Sequence, residues 1–169
     1  EFGRDPDFLA RFRDEARAAA SLSHPNIVSV HDFGQDESGP YIVMEVVEGQ
    51  TLRELIPPAD ARPLGVRRLL EIGAQIADAL DMAHSKGIIH RDLKPDNVLL
   101  QYLDDGGELV KVLDFGVAKF SSEANLPKSA RAGVTQVGFI VGTPGYMAPE
   151  QAVGTNADER SDLYALGVI

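Results

Sequence analysis

The first helical pattern lies near the start of the chain. Asp5 and Pro6 are favourable residues for a helix N-terminus, and the residues from Asp7 to Leu22 repeat apolar positions at intervals of three and four. Glu15 falls on the same stripe as the apolar residues Phe8, Phe12, Ala19 and Leu22. Glu15 is therefore either solvated at the edge of the stripe or a buried carboxylate that needs a cation.

Two strands are predicted next. Residues 27–33 and 41–47 are rich in β-branched and aromatic side chains, and the polar segment 35–40 between them is typical of a turn. This pattern favours an antiparallel hairpin. The second strand runs into the polar link Val47-Glu48-Gly49.

The remaining pattern alternates helices, short strands and loops. Thr51 is the expected N-cap of a short helix over 52–56, and a longer helix is predicted over 64–85 from the apolar spacing of Leu69, Ile72, Ile76, Leu80 and Ala83. Two short strands are predicted at 98–100 and 109–113, joined by a turn at 104–107. Residues 120–141 show no sustained period and predict a long mobile loop, and a last helix is expected after Asp158.

Composition narrows the functional classes. The chain has 169 residues, which suffices for one domain with a sizeable core, and a net charge of −10. We expect no nucleic-acid partner, because phosphate backbones require clustered Lys and Arg. The absence of cysteine excludes disulfides and thiolate chemistry. No apolar run reaches the roughly 18 residues of a membrane span.

One stretch carries a dense set of reactive groups. His90-Arg91-Asp92-Leu93-Lys94-Pro95-Asp96-Asn97 is followed by Asp114-Phe115-Gly116 and later by Ala148-Pro149-Glu150. Carboxylate, ammonium and amide groups at this spacing suit the binding of a phosphate, its metal ion and a hydroxyl to be activated. Each residue alone is typical of a protein surface, but the joint pattern is not expected by chance.

This stretch resembles the catalytic loop and the metal-binding turn of the protein kinases. The resemblance implies ATP and Mg²⁺ as cofactors. It implies that Asp92 accepts or orients the proton of a substrate hydroxyl and that Lys94 reaches the γ-phosphate. It further implies that Asn97 and Asp114 bind Mg²⁺, and that Arg91 receives a phosphate from the activation loop.

The resemblance extends to the nucleotide side of the site. The turn 22–28, Leu-Ser-His-Pro-Asn-Ile-Val, is similar to a turn of the protein kinases. The helix before that turn carries a glutamate in the family, and the aligned residue here is Glu15. In the family that glutamate pairs with the lysine that positions ATP. Met44 takes the place beside the adenine pocket, the backbones of Glu45 and Val47 meet the adenine edge, and Leu99 completes the expected nucleotide-binding set.

Several residues bear on substrate class and regulation. Lys94, two residues after Asp92, and Gly142-Thr143 match the Ser/Thr kinases, in which the threonine contacts the catalytic aspartate. The sequences of the turn 22–28 and of the catalytic loop are most similar to those of bacterial Ser/Thr kinases of the eukaryotic-like type. Thr135 is the leading candidate for regulatory phosphorylation, with an ordinary loop hydroxyl as the alternative. Asp162 matches the buried aspartate that holds the backbone of His90 and Arg91.

The resemblance implies an α+β, two-lobed protein-kinase-like fold that is incomplete. Residues 1–46 are expected to be a remnant of the small lobe, and residues 47–169 the hinge and the first part of the large lobe. The sequence contains no glycine-rich loop followed by a lysine-bearing strand, so Phe8 and Phe12 are expected to lack part of the sheet on which they pack.

Two functions remain open. The first is an internal part of an active Ser/Thr protein kinase that binds ATP and protein substrates in the cytoplasm, with any membrane attachment outside this sequence. The alternative is a non-catalytic, kinase-like binding or scaffold module. The coding sequence upstream of Glu1 separates them, since only the active kinase needs the glycine-rich loop and lysine there.

Overall fold

The structure, a computed structural model, describes residues 6–57, 63–115, 144–154 and 157–169. In chain order its longer elements are α1 (Pro6–Ala20), β1 (Val30–Asp36), β2 (Gly39–Met44), β3 (Gln50–Thr51), α2 (Leu52–Leu55), α3 (Val66–Ser85), β4 (Val98–Tyr102), β5 (Glu108–Val112), α4 (Pro149–Ala152) and α5 (Glu159–Val168). Two 3₁₀ helices cover Pro95–Asn97 and Pro144–Tyr146. No helix in these ranges is both long enough and apolar enough to cross a membrane. The predicted loop at 120–141 lies outside the described residues.

The first unit is helix α1 packed on the β1–β2 hairpin. The two strands pair antiparallel, with Phe33 opposite Ile42. Phe8 and Phe12 of α1 are buried and pack with Ala16 against these two hairpin residues. Phe8 and Phe12 therefore pack on a two-stranded sheet. The expectation that they lack a further part of that sheet stays a prediction.

Residues 26–28 depart from the predicted strand. They do not continue β1 but form a parallel bridge to β5, in which the N–H of Val28 and the carbonyl of Asn26 bond to Val112 at 2.9 Å each. The Asn26 side chain is buried and donates to the carbonyl of Val110 and to the side-chain oxygen of Gln75, both at 2.9 Å. The turn after α1 is thereby anchored to β5 and α3, and β1 begins at Val30 rather than at residue 27.

The main core lies between α3, the β4–β5 hairpin and α5. Helix α3 begins at Val66 and turns one face inward, formed by Ile72, Ile76, Ala79, Leu80 and Ala83. Leu69, predicted on this face, is instead 42% exposed. At that end of the helix Arg68 pairs with Glu108, the first residue of β5, at 2.6 Å, so the apolar contact begins only at the next turn.

The chain after β2 pairs with β4 through a short strand that the pattern did not predict. Strand β3 pairs Gln50 with Leu100 and Thr51 with Leu99. Gly49 permits this approach, since a Cβ atom there would lie 2.1 Å from the carbonyl oxygen of Leu100. Thr51 caps α2 as predicted: its hydroxyl accepts the N–H of Glu54, and the Glu54 carboxylate accepts the N–H of Thr51.

The segment between α1 and the first hairpin shares a buried core with α3, β4 and β5. Leu22 and Ile27, which precede the first hairpin, pack in the same buried cluster as α3 and the β4–β5 hairpin. The apolar core thus crosses the proposed boundary between residues 46 and 47. The division of the chain at that boundary stays a prediction.

Candidate active site

The backbone of the reactive loop is fixed by one buried carboxylate. Asp162, on α5, accepts the N–H of His90 and the N–H of Arg91, each at 2.8 Å. It also accepts a hydrogen bond from the His84 ring at 2.8 Å. Arg91 has a φ of 69°, a left-handed conformation that is uncommon for a residue with a side chain. The expected contact of Asp162 with the loop is therefore present, and it stabilises an unusual backbone turn directly before Asp92.

His90 supports the loop from inside. Its side chain is fully buried, and its ring lies 4.9 Å from that of Phe115. Nε2 lies 2.8 Å from the carbonyl oxygen of Leu113, and Nδ1 lies 3.3 Å from the backbone nitrogen of Asp92. A carbonyl only accepts and a backbone N–H only donates, so the geometry requires the neutral ring with its proton on Nε2. Burial lowers the pKa of His90, which favours the same neutral form.

Two of the predicted catalytic residues, Lys94 and Asn97, contact the third, Asp92. Lys94 donates to Oδ2 of Asp92 at 2.6 Å, and both side chains are partly exposed. The Asn97 amide donates to the backbone carbonyl of Asp92 at 2.9 Å and approaches Oδ2 at 3.5 Å. Both side-chain contacts from described residues go to Oδ2. Among the described residues, nothing occupies the second oxygen of Asp92, which suits it to contact a hydroxyl group.

A backbone hydrogen bond brings the residue before Asp114 to Asn97. The N–H of Leu113 donates to the carbonyl of Asn97 at 2.9 Å, and Asp114 follows with an exposed side chain and a φ of 60°. An amide binds a cation through its oxygen, and the Asn97 amide donates to Asp92 through its nitrogen, so this contact does not use the oxygen. Hard oxygen donors of this kind suit Mg²⁺, which is held by few protein ligands together with phosphates and water. The described residues form no cluster of three or more His, Cys, Asp or Glu side chains suited to a metal.

An open pocket lies beside two of the predicted nucleotide-binding residues. Met44 and Asp114 both line it, together with Ala19 of α1. Val47 is half-buried beside the exposed Val46, as in an extended link. Leu99 is half-buried in β4, between β3 and β5. The structure therefore brings the end of β2 and Asp114, the predicted metal ligand, to one pocket.

Glu45 has a role that the sequence did not reveal. Its carboxylate accepts a hydrogen bond from Lys111 at 2.7 Å and from the N–H of Ser29 at 2.8 Å. Burial alone would raise the pKa of Glu45, but these two hydrogen bonds outweigh it and leave the pKa below its ordinary value. The N–H of Glu45 is also bonded to the carbonyl of Ser29, so only its carbonyl remains for an adenine edge.

Lys111 could have been found from the sequence. It stands between Val110 and Val112 in an apolar strand, where a buried ammonium group requires an anionic partner. The pattern did not identify that partner because Glu45 is 66 residues away in the chain.

The predicted regulatory residues divide into two groups. Glu15 lies half-buried on α1, one helical turn before the pocket residue Ala19. Arg91 is half-buried, and its carbonyl accepts the side-chain amide of Gln151 at 2.8 Å. Thr135 and Thr143, like Gly116, lie outside the described residues.

Residues after 143 make contacts that the sequence did not predict, both among themselves and with earlier elements. Ser161 donates to Glu150 at 2.6 Å, whereas the neighbouring Arg160 is exposed. Arg53 of α2 contacts both Asp96 in the loop and Tyr146. Arg53 lies 43 positions from Asp96 and 93 positions from Tyr146, and Glu150 and Ser161 lie on different helices. The pattern of neighbouring residues predicts neither kind of contact.

Comparison with known proteins gives a consistent result. The family model of the protein kinase domain matches residues 4–169. The serine/threonine-protein kinase pkn3 of Myxococcus xanthus is 46% identical over 98% of this chain, which spans 29% of that protein. The serine/threonine-protein kinase PknB of Mycobacterium leprae is 42% identical over the whole chain, which spans 26% of it.

Solved structures agree with the sequence relatives. The PknI kinase domain of Mycobacterium tuberculosis, as a C20A mutant, superposes with a TM-score of 0.71 and 33% identity. The match covers 98% of this chain and 56% of that one. The expected kinase-like α+β fold is thereby confirmed, and the chain spans about half of a kinase domain of this kind.

Proposed function

Because this chain belongs to the protein kinase family, we propose that the protein containing it transfers the γ-phosphoryl group of ATP to Ser or Thr residues of proteins. One observation carries the proposal: Lys94 lies 2.6 Å from Oδ2 of Asp92, while the Asn97 amide braces the same residue. A carboxylate with one oxygen held by a cation and the other open is suited to orient a hydroxyl beside an anionic group.

Each residue has a distinct proposed task. Asp92 orients the substrate hydroxyl and accepts its proton, and Lys94 donates to the transferred phosphoryl group. The amide oxygen of Asn97 and the carboxylate of Asp114 hold Mg²⁺. Bound ATP and Mg²⁺ supply the phosphoryl group and neutralise the charge that develops on it.

The nucleotide-binding and regulatory residues are part of the same proposal. Met44, Val47 and Leu99 border the adenine, and the carbonyl of Glu45 accepts from its edge. Glu15 pairs with a lysine supplied by other sequence of the kinase domain. Arg91 receives the phosphate of Thr135, and Thr143 contacts Asp92. The cytoplasm, where ATP and protein substrates are present, is the proposed setting.

The test is phosphate transfer by the full-length protein and by its Asp92→Asn variant, with nucleotide binding measured in parallel. Loss of transfer with retained binding supports the proposal. Equal transfer by both proteins contradicts the role of Asp92, and nucleotide binding without any transfer by either protein favours the scaffold alternative.

A further inference from the structure

Arg53 joins three elements at the front of the catalytic loop. Its guanidinium, on helix α2, donates to Oδ2 of Asp96 through Nη2 at 3.2 Å and through Nε at 3.4 Å. Nη2 also donates to the Tyr146 hydroxyl at 3.0 Å, and the guanidinium carbon lies 5.5 Å from the centre of the tyrosine ring. One side chain thus contacts the loop residue that follows Lys94-Pro95 and the segment that begins at Pro144.

The position of this cluster matters for a protein substrate. Asp92 and Tyr146 line a common pocket, and Asp96 is four residues after Asp92. A peptide whose hydroxyl reaches Asp92 must place its neighbouring residues over adjacent surface. Because Tyr146 lines this pocket and contacts Arg53, the Arg53–Asp96–Tyr146 cluster borders it.

The pair is exposed rather than buried. The side chains of Arg53 and Asp96 are 41% and 47% exposed, and ion pairs of this kind add little to stability because water screens them. The hydrogen bonds from Arg53 to Oδ2 of Asp96 nevertheless hold a positive charge against this carboxylate. The main consequence of the pair is therefore electrostatic: it cancels a negative charge next to the catalytic loop.

Arg53 also keeps donors in reserve. A guanidinium carries five N–H groups, and the contacts with described residues use only Nε and Nη2. The Nη1 group therefore remains for a partner outside the described residues, and a carboxylate is the partner that an arginine fork binds most specifically.

We propose that Arg53 is a specificity-determining residue that makes the substrate surface favour acidic over basic residues near the phosphorylated Ser or Thr. It does so in two ways. Its Nη1 group, which has no hydrogen bond to a described residue, binds a substrate carboxylate, and its charge prevents Asp96 from attracting a substrate lysine or arginine. This inference rests on the proposed kinase function.

The experiment uses the full-length protein and a set of peptides with a single threonine acceptor. One flanking position at a time carries Glu, Gln or Arg in an otherwise uncharged sequence, and kcat/KM is measured for each. At the position that reaches Arg53, the wild type should prefer Glu to Arg. Arg53→Gln should shift that ratio at least tenfold towards Arg, because Asp96 is then unopposed.

Two further variants separate specificity from general damage. Arg53→Gln combined with Asp96→Asn should prefer neither charge, since both charged groups are gone. Arg67→Gln, which removes another exposed arginine paired with a glutamate on α3, should leave the ratio unchanged. An unchanged ratio in Arg53→Gln, or an equal loss for all peptides, would overturn the proposal.

Peptide binding keeps the two proposals distinguishable. Fluorescence anisotropy with the same peptides measures the Glu-to-Arg affinity ratio without phosphate transfer. If the wild type transfers no phosphate, the kinase proposal fails while the binding ratio still decides the role of Arg53. A binding ratio that Arg53→Gln does not alter contradicts the inference on its own.

Discussion

Asp162 accepts the backbone N–H of His90 at 2.8 Å, although the two residues are 72 positions apart in the chain. The other oxygen of the same carboxylate accepts the N–H of Arg91, which has a positive φ. Asp162 is only 1% exposed. Helix α5 therefore determines the backbone geometry of a loop to which it is not adjacent in sequence.

Asp162→Asn should destabilise the protein and reduce phosphate transfer. An amide offers one oxygen where two N–H groups and a histidine ring now donate, so one donor faces the amide NH₂ group. We expect the free energy of unfolding to fall by about 2–4 kcal/mol, as for loss of buried, charge-assisted hydrogen bonds. Urea unfolding measures it. Asp81→Asn, at an exposed position on α3, is the matched control, and equal effects of the two would refute the account.

The ion pair between Lys111 and Glu45 should matter more than its surface counterparts. The two side chains are only 10% and 26% exposed. Lys111→Gln leaves a partly buried carboxylate without its cation, so we expect a loss of about 1–3 kcal/mol at neutral pH. Chemical unfolding gives the value, and Arg67→Gln, which breaks an exposed pair, should cause no measurable change.

The same pair predicts a pH dependence. The folded-state pKa of Glu45 is lowered, so its stabilising effect is present above the ordinary glutamate pKa, about 4.3, and is lost as the pH falls through the lower folded-state value. The difference between wild type and Lys111→Gln should therefore narrow on acidification. A constant difference down to pH values that protonate glutamate would exclude Glu45 as the partner that matters.

His90 predicts a second pH effect at a higher range. Its folded-state pKa is lowered, so the unfolded chain binds a proton that the folded chain does not. Stability should fall as the pH falls below the ordinary histidine pKa, about 6.5, by at most about 1.4 kcal/mol per pH unit. Unfolding curves from pH 8 to 5 test this against His90→Gln, whose side chain does not titrate. The exposed His31→Gln should retain the wild-type slope; a wild-type slope in His90→Gln would contradict the prediction.

Local pattern predicted what local interactions determine. Apolar spacing located both ends of α1 and of α3 to within two residues, and the turn-rich segment before Tyr41 located the hairpin. The order of His90, Asp92, Lys94 and Asn97 placed catalytic-type groups on one loop because a short loop keeps neighbours in sequence close in space.

Contacts between distant segments were beyond the pattern. Residues 27 and 28 have the side chains of a hairpin strand but pair with β5, because the buried Asn26 anchors them there. Gly49 looked like an ordinary link residue, yet it is required for the approach to Leu100. The partners of Lys111 and Arg53 depend on how the elements pack, so the sequence alone did not identify them.

The measurement that tests the central claim most directly is phosphate transfer from radiolabelled ATP to a threonine peptide by the full-length protein and by Asp92→Asn. Asparagine has nearly the same shape but cannot accept the hydroxyl proton, so transfer should fall by at least two orders of magnitude. Nucleotide affinity, measured by calorimetry, should change little. Undiminished transfer in the variant would contradict the account.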